Sequence, residues 1–258
     1  MKKLDCMDIY SDADFYELEF ARRNHEVPFY LKYASLARGR VLEVACGTGR
    51  ITLAIARTGI LMTGLDVSAP MLKLGRRKAD AEGLKITWLR QDCRKIRSND
   101  RFALIFSATN AMQHLHDLES VNAFLESAQS ILSPGGRLTI DVFNPDVAKL
   151  VRKHTNRYYH KEFIDGKGRK IRVEVASEYH SAKQILAFEL YYLLGNKLVN
   201  QKCVKMRCFF PEELMALCES SGLKVIRRFG DYDESPFTDT SPKQITQCWL
   251  EVTHWVQA

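Results

Sequence analysis

Residues 41–50 read Val41-Leu42-Glu43-Val44-Ala45-Cys46-Gly47-Thr48-Gly49-Arg50. A short apolar run that ends in two glycines and leads into an amphipathic stretch from Ile51 predicts a strand, a tight turn and a helix. Glycine lets the backbone of such a turn approach a ligand closely, and the helix behind it offers unpaired N–H groups. A dinucleotide fingerprint would put a third glycine at position 52, where this chain has Thr52, so a nicotinamide dinucleotide loses ground.

The same rhythm runs on toward the C-terminus. Residues 61–65 form the next apolar run, closed by Asp66. Ser68 caps a helix with Pro70 in its first turn, where a missing N–H costs little. Residues 86–89 and 102–107 predict two more strands. Over residues 117–132, Leu118, Val121, Leu125, Ala128 and Leu132 recur at three- and four-residue spacings, the mark of one buried helix face. Pro134-Gly135-Gly136 ends that helix and residues 138–142 make a fifth strand. Strand and helix in alternation specify an α/β fold, a doubly wound and mostly parallel sheet covered on both faces. The forty residues before it read as helical cover.

After Asn144-Pro145 the period changes to two. Ile171, Val173, Val175, Ser177 and Tyr179 alternate with Arg172, Glu174 and Glu178, as a half-buried strand does. Gly195-Asn196 between two strand-like runs is a two-residue hairpin signal. An antiparallel β insertion over 149–210 is therefore expected, serving as an acceptor lid or an oligomer contact, with the core formed by 1–148 and 211–258.

Composition narrows the classes. The 258 residues are 46% hydrophobic and 27% charged, which suits a folded domain with a real core rather than a disordered chain. Asp5 and Asp8 stand where a secretory signal needs apolar residues. The uncharged stretch 102–116 is shorter than the roughly 20 residues of a membrane span. Seven cysteines without a C-x-x-C pattern argue against a zinc knuckle and for thiols that mostly fill the core. A cytoplasmic protein is expected, as a monomer or homodimer, with no membrane and no metal. The 38 basic and 31 acidic residues give +7. All of that excess lies in residues 149–172, with nine bases against two acids, while the other 234 residues balance at 29 and 29. Such a segment can attract nucleic acid, phosphate or carboxylate, or be a solvated surface.

In a doubly wound sheet, ligands sit beyond the carboxyl ends of the strands at the switch point. Asp66, 17 residues after Gly49, can accept two hydrogen bonds from a ribose diol, and Asp92 can reach an exocyclic purine amine. Glycines, a ribose carboxylate and an adenine acceptor together fit S-adenosylmethionine. The chain resembles the class I S-adenosylmethionine-dependent methyltransferases. The resemblance is carried by residues 41–50, by residues 64–72 with Gly64-Leu65-Asp66-Val67-Ser68 at their head, by Gln91-Asp92-Cys93-Arg94, and by residues 102–115 and 132–141. Ala45 departs from the pattern, standing where many members carry a first glycine. More narrowly, residues 10–20, Val27-Pro28-Phe29-Tyr30 and the β-rich insertion resemble small-molecule N-methyltransferases, such as those acting on amino sugars.

The resemblance implies roles residue by residue. Glu43 would brace the glycine loop, and Ala45, Gly47 and Gly49 would line the methionine part of the cofactor. Asp66 would hold the ribose, Val67 and Met71 would lie against the adenine, Asp92 would take its amino group, and Cys93 would supply a backbone N–H. His114 stands where a base would face the acceptor, and a His occupies the matching position in the amino-sugar relatives. Tyr16 and Tyr30 are expected to close over cofactor or acceptor. His116 lacks a carboxylate at metal-ligand spacing. The expected acceptor is a small molecule methylated on nitrogen, with an anionic one suggested by the basic segment. The alternative is an RNA substrate held by those bases, with Tyr158, Tyr159 and Phe163 as stacking surfaces.

Overall fold

A computed structural model of the chain describes residues 8–151 and 157–250. A single 3-10 turn and the helices α1 (Ala13–Phe20) and α2 (Val27–Leu36) precede the first strand. The core continues as β1 (Val41–Val44), α3 (Arg50–Ala56), β2 (Met62–Asp66), α4 (Ala69–Ala81), β3 (Ile86–Arg90), β4 (Phe102–Ser107), α5 (Leu118–Ile131) and β5 (Leu132–Phe143). A short α6 (Val147–Leu150) leads to β6 (Tyr158–Ile164), β7 (Lys170–His180), β8 (Ile185–Leu194) and β9 (Lys197–Arg207). The described part closes with α7 (Pro211–Ser220), β10 (Leu223–Phe229) and β11 (Lys243–Leu250).

Seven strands form one sheet in the order β10-β11-β5-β4-β1-β2-β3, and β6 to β9 form a second, four-stranded sheet. The five strands from β3 across to β5 pair in parallel, and β11 is antiparallel to both its neighbours. This is the doubly wound α/β architecture expected from the alternating pattern. Every residue of β1 and β2 is buried, as parallel strands covered on both faces must be. One apolar cluster fills the face under α5 and α7 around Leu42, Ile105, Phe124 and Ile140. A second fills the face under α2 and α3 around Tyr30, Val41, Ile51 and Phe106.

Local signals explain the boundaries. Ser68 accepts from the Met71 N–H at the start of α4, with Pro70 in the first turn. Asp117 accepts from the Ser120 N–H at the start of α5. The fifth strand departs from expectation: it begins at Leu132, pairing with Phe102, and then bulges over 133–136 before resuming at Arg137 opposite Leu104. Gly136 permits the bulge, because a Cβ there would lie 2.8 Å from the Ser133 carbonyl and 2.9 Å from that of Phe102.

In the second sheet all neighbours are antiparallel, and Gly195-Asn196 is the whole loop between β8 and β9. The edge strand β6 runs through the segment read only as basic and aromatic; its residues are half-buried or exposed, so no clear alternation marks it. Among the described residues, no helix is long and apolar enough to cross a membrane. Cys46, Cys208, Cys218 and Cys248 are buried free thiols and Cys93 is a half-buried one, whereas Cys203 is disulfide-bonded, a pairing the spacing did not suggest.

Candidate active site

A cavity of about 660 Å³ opens at the carboxyl ends of the parallel strands, beside the β1–β4 switch point. Its floor comes from the turns after β1, β2, β3 and β4, one wall from the segment 9–23, and the opposite wall from the second sheet. Of the residues picked out by sequence, Tyr16, Ala45, Gly47, Asp66, Val67, Met71, Asp92, Cys93 and His114 all line it. Glu43 and Gly49 do not.

The glycine turn is built from strand, strain and one carboxylate. Ala45, Gly47 and Gly49 all adopt positive φ, at 56°, 56° and 79°. For alanine this conformation costs roughly 1–2 kcal/mol, which glycine would avoid. A Cβ on Gly47 would meet nothing within 4 Å, so backbone alone faces the cavity there. Asp66 closes the turn: its Oδ2 accepts from the Gly47 N–H at 2.8 Å and its Oδ1 from the Ser68 N–H at 2.8 Å. Burial raises the Asp66 pKa, and these two backbone bonds pull it back.

Gly49 has a different reason to be glycine. A Cβ there would stand 2.6 Å from the indole of Trp88 on β3. Gly64 and Gly75 are in the same position, at 3.0 and 2.9 Å from that ring. Glu43, on the interior strand β1, is buried and accepts from the Thr52 hydroxyl in α3, so it braces the helix after the turn. Burial pushes its pKa up to about 8.

Asp92 reaches the cavity with its carboxylate already engaged. Arg94 forks onto both oxygens at 2.6 to 3.0 Å and its N–H donates at 2.9 Å. This holds Asp92 below the usual carboxylate range. Burial pushes the neighbouring Cys93 thiol up to about 12. Val67 is exposed and Met71 is buried, packed with Tyr10 and Tyr16.

His114 lies in the turn after β4, with its Nε2 2.7 Å from the hydroxyl of Tyr10. The two rings meet edge to face at 5.3 Å. Burial, and then the neighbouring His116, push the His114 pKa down to about 4, so the imidazole is neutral at pH 7. Burial likewise keeps the phenols of Tyr10 and Tyr16 protonated. Tyr16 stacks between Tyr10 and Phe20, at 5.9 and 4.5 Å. His116 also lines the cavity and is hydrogen-bonded to the Lys205 carbonyl at 3.0 Å.

Tyr30 does not close over the site. It is fully buried, stacked on Phe106, and donates to Asp141 Oδ2 at 3.1 Å. Asp141 also accepts from the Tyr232 hydroxyl at 2.6 Å and the Thr109 N–H at 2.8 Å, and pairs with Lys243 at 2.5 Å. Lys243 in turn donates to Asn110 Oδ1 at 2.9 Å. Thr109 and Asn110 have φ of 52° and 71° and line the cavity, so this buried network fixes the turn that leads to His114.

The basic segment follows its solvated-surface reading rather than the anion-attracting one. Arg152 and Lys153 lie outside the described residues. Among the described lysines and arginines of 149–172, none lines the cavity. Lys161 pairs with Glu19 on α1, Arg169 with Asp165, Lys170 with Glu162 and Arg172 with Glu174. Sequence reasoning missed Tyr10 and Trp88; the signal for the second was the set of glycines at 49, 64 and 75, which meet only in space. Among the described residues, no group of three or more His, Cys, Asp or Glu side chains gathers to hold a metal.

Residues 41–136 match the family described as a methyltransferase domain, and the fold is shared with solved methyltransferase structures. Among solved structures, the CcbJ methyltransferase of Streptomyces caelestis is 21% identical with a TM-score of 0.80, over 90% of this chain and 98% of that one. CalS10 of Micromonospora echinaspora, an amino pentose methyltransferase, is 18% identical with a TM-score of 0.72, over 92% and 96%. Among curated relatives, YqeM of Bacillus subtilis, named only provisionally as a methyltransferase, is 33% identical over 106 residues, 41% of this chain and 42% of that protein. The ubiquinone biosynthesis O-methyltransferase of Xanthomonas axonopodis pv. citri is 27% identical over 154 residues, 53% and 63%. The matches thus span about half the length of these curated relatives.

Proposed function

We propose that the chain transfers a methyl group from S-adenosylmethionine to a nitrogen of a small-molecule acceptor. The observation that carries this reading is the cavity onto which the turns after β1, β2, β3 and β4 all open, with bare backbone at Gly47 and the Asp66 carboxylate beside it. Its volume suits a cofactor together with part of an acceptor, within the range of roughly 300–1,000 Å³ for ligand pockets. Gly47 leaves open space where a side chain would stand, and Asp66 keeps lone pairs for a ribose diol, so the residues fit the cofactor. Met71 and Val67 offer an apolar slot for a purine, and Asp92 and Cys93 close its end.

The cofactor, when bound, supplies a methyl group already activated on a sulfonium. The protein then has to align the acceptor nitrogen with the S–CH₃ bond for in-line displacement and keep water out; alignment is worth roughly 7–11 kcal/mol. The wall of residues 9–23 and the second sheet flank the cavity on two sides, which supports reading residues 149–210 as a lid on a core of 1–148 and 211–258. A proton leaving the acceptor passes to the neutral His114 through the Tyr10 hydroxyl bonded to its Nε2. Tyr16 packs Tyr10 into place. The likeness to CalS10, an amino pentose methyltransferase, supports nitrogen, while an O-methyltransferase among the relatives keeps oxygen as the competing outcome. An RNA acceptor draws no support from bases that pair with nearby carboxylates and stand off the cavity.

Calorimetry with S-adenosylmethionine and S-adenosylhomocysteine, then transfer of a labelled methyl group into a metabolite extract, tests the reading. Binding plus a labelled small amine is the expected result. Absence of binding would overturn it, and a labelled alcohol or phenol would replace nitrogen by oxygen.

A further inference from the structure

The second sheet presents one face to the cavity, and its composition is specific. Strand alternation puts Val175 of β7, Phe188 and Leu190 of β8, and Val204 and Met206 of β9 on that face. The register locks them together, with Val175 opposite Leu190 and Phe188 opposite Val204. Lys205 and Glu189, one step along their strands, fall outside the cavity.

At the edge of this face, β6 carries a bulge between Tyr159 and Lys161 that leaves His160 unpaired in the ladder, and His160 lines the cavity beside Tyr158. Burial lowers the His160 pKa and the His114 imidazole is neutral, so these two rings present no charge at pH 7, while His116, also on the lining, is hydrogen-bonded to the Lys205 carbonyl. The cations that do reach the cavity belong to other elements and are engaged: Arg94 on Asp92, and Arg23 on the buried Glu26 at 3.5 Å. Among the described residues, no lysine lines it.

Resting on the methyltransferase reading above, we infer that the acceptor is a neutral molecule with an apolar body, seated against Val175, Phe188, Leu190, Val204 and Met206, rather than an anion. An anionic acceptor would give up its hydration against a wall with no cation to replace it. An amine that is uncharged near pH 7, such as an arylamine, loses nothing on entering. It also asks little of an imidazole as weakly basic as His114.

The test is direct binding, with no need for turnover. The protein, alone and saturated with S-adenosylhomocysteine, is titrated with 4-butylaniline, with O-phosphoethanolamine and with glucosamine. Saturable binding of 4-butylaniline alone is expected. Phe188→Asp should weaken it at least tenfold while S-adenosylhomocysteine affinity stays within threefold. Met206→Gln, at a half-buried position, should give a smaller loss in the same direction and covers the case in which Phe188→Asp does not fold. Saturable binding of O-phosphoethanolamine or glucosamine without 4-butylaniline, or binding of 4-butylaniline indifferent to both substitutions, would overturn the inference. Failure of the wild type to bind S-adenosylhomocysteine would instead sink the methyltransferase reading, and the titrations of the protein alone would still decide the character of the wall.

Discussion

The hydroxyl of Tyr10 lies 2.7 Å from Nε2 of His114, joining positions 104 residues apart on the lining of the cavity. The contact ties the segment ahead of α1 to the turn after β4. Burial of that same junction sets how the imidazole titrates.

In the folded protein His114 is pushed down to about 4, against 6.5 for an ordinary histidine. As pH falls the unfolded chain takes up its proton first. The contribution to stability is therefore full above about 6.5 and declines as pH drops from 6.5 toward 4, by at most about 3 kcal/mol. Urea denaturation of wild type and His114→Gln at pH 7 and pH 4.5 should show a smaller acid loss in the variant. Equal losses would mean that His114 titrates as a solvated group.

Gly49→Ala should cost about 1–3 kcal/mol, since its Cβ would stand 2.6 Å from the Trp88 ring on a backbone with φ of 79°. Adding Trp88→Leu removes the clash and leaves the backbone cost, so the double variant should regain part of the loss. Thermal midpoints of the three proteins decide it. A double variant no better than Gly49→Ala would mean that the ring is not the obstacle.

Asp66→Ala should lower S-adenosylhomocysteine affinity at least tenfold, because the Gly47 and Ser68 N–H groups lose their shared acceptor along with any ribose contact. Calorimetry on the folded variant measures this directly. Affinity within threefold of wild type would remove Asp66 from the site.

Asp141→Ala would strand Lys243, two tyrosine hydroxyls and the Thr109 N–H, at a cost of about 3–5 kcal/mol. The pair of changes Asp141→Asn and Lys243→Met removes both charges and should cost much less. Denaturant midpoints of single and double variants should be far from additive; additive losses would mean that Asp141 and Lys243 act independently.

The strands and the glycine turn were readable because their signals are local. An apolar run, Gly47 and Gly49, and the Ser68 and Asp117 caps each sit within a few residues of the structure they specify. The bulge at 133–136 hid behind Pro134-Gly135-Gly136, which ends a helix equally well. Edge strand β6 shows no buried stripe, because solvent reaches most of its residues. Tyr30 looked like a lid residue by type and position in sequence. Its partners Asp141 and Phe106 come from strands over seventy residues away, and no period along the chain encodes such a meeting. The charge of 149–172 was visible, but the carboxylates that absorb it, Glu19 above all, are assigned only by folding.

Trp88 offers an optical consequence. Its indole touches the first turn of α3, the middle of β2 and the body of α4 at once, through the three missing side chains at Gly49, Gly64 and Gly75. No one of these segments can shift without altering the surroundings of the ring. With Trp249→Phe and Trp255→Phe removing the other two indoles, its fluorescence should gauge the glycine turn, and a change on adding S-adenosylhomocysteine is the measurement that checks it.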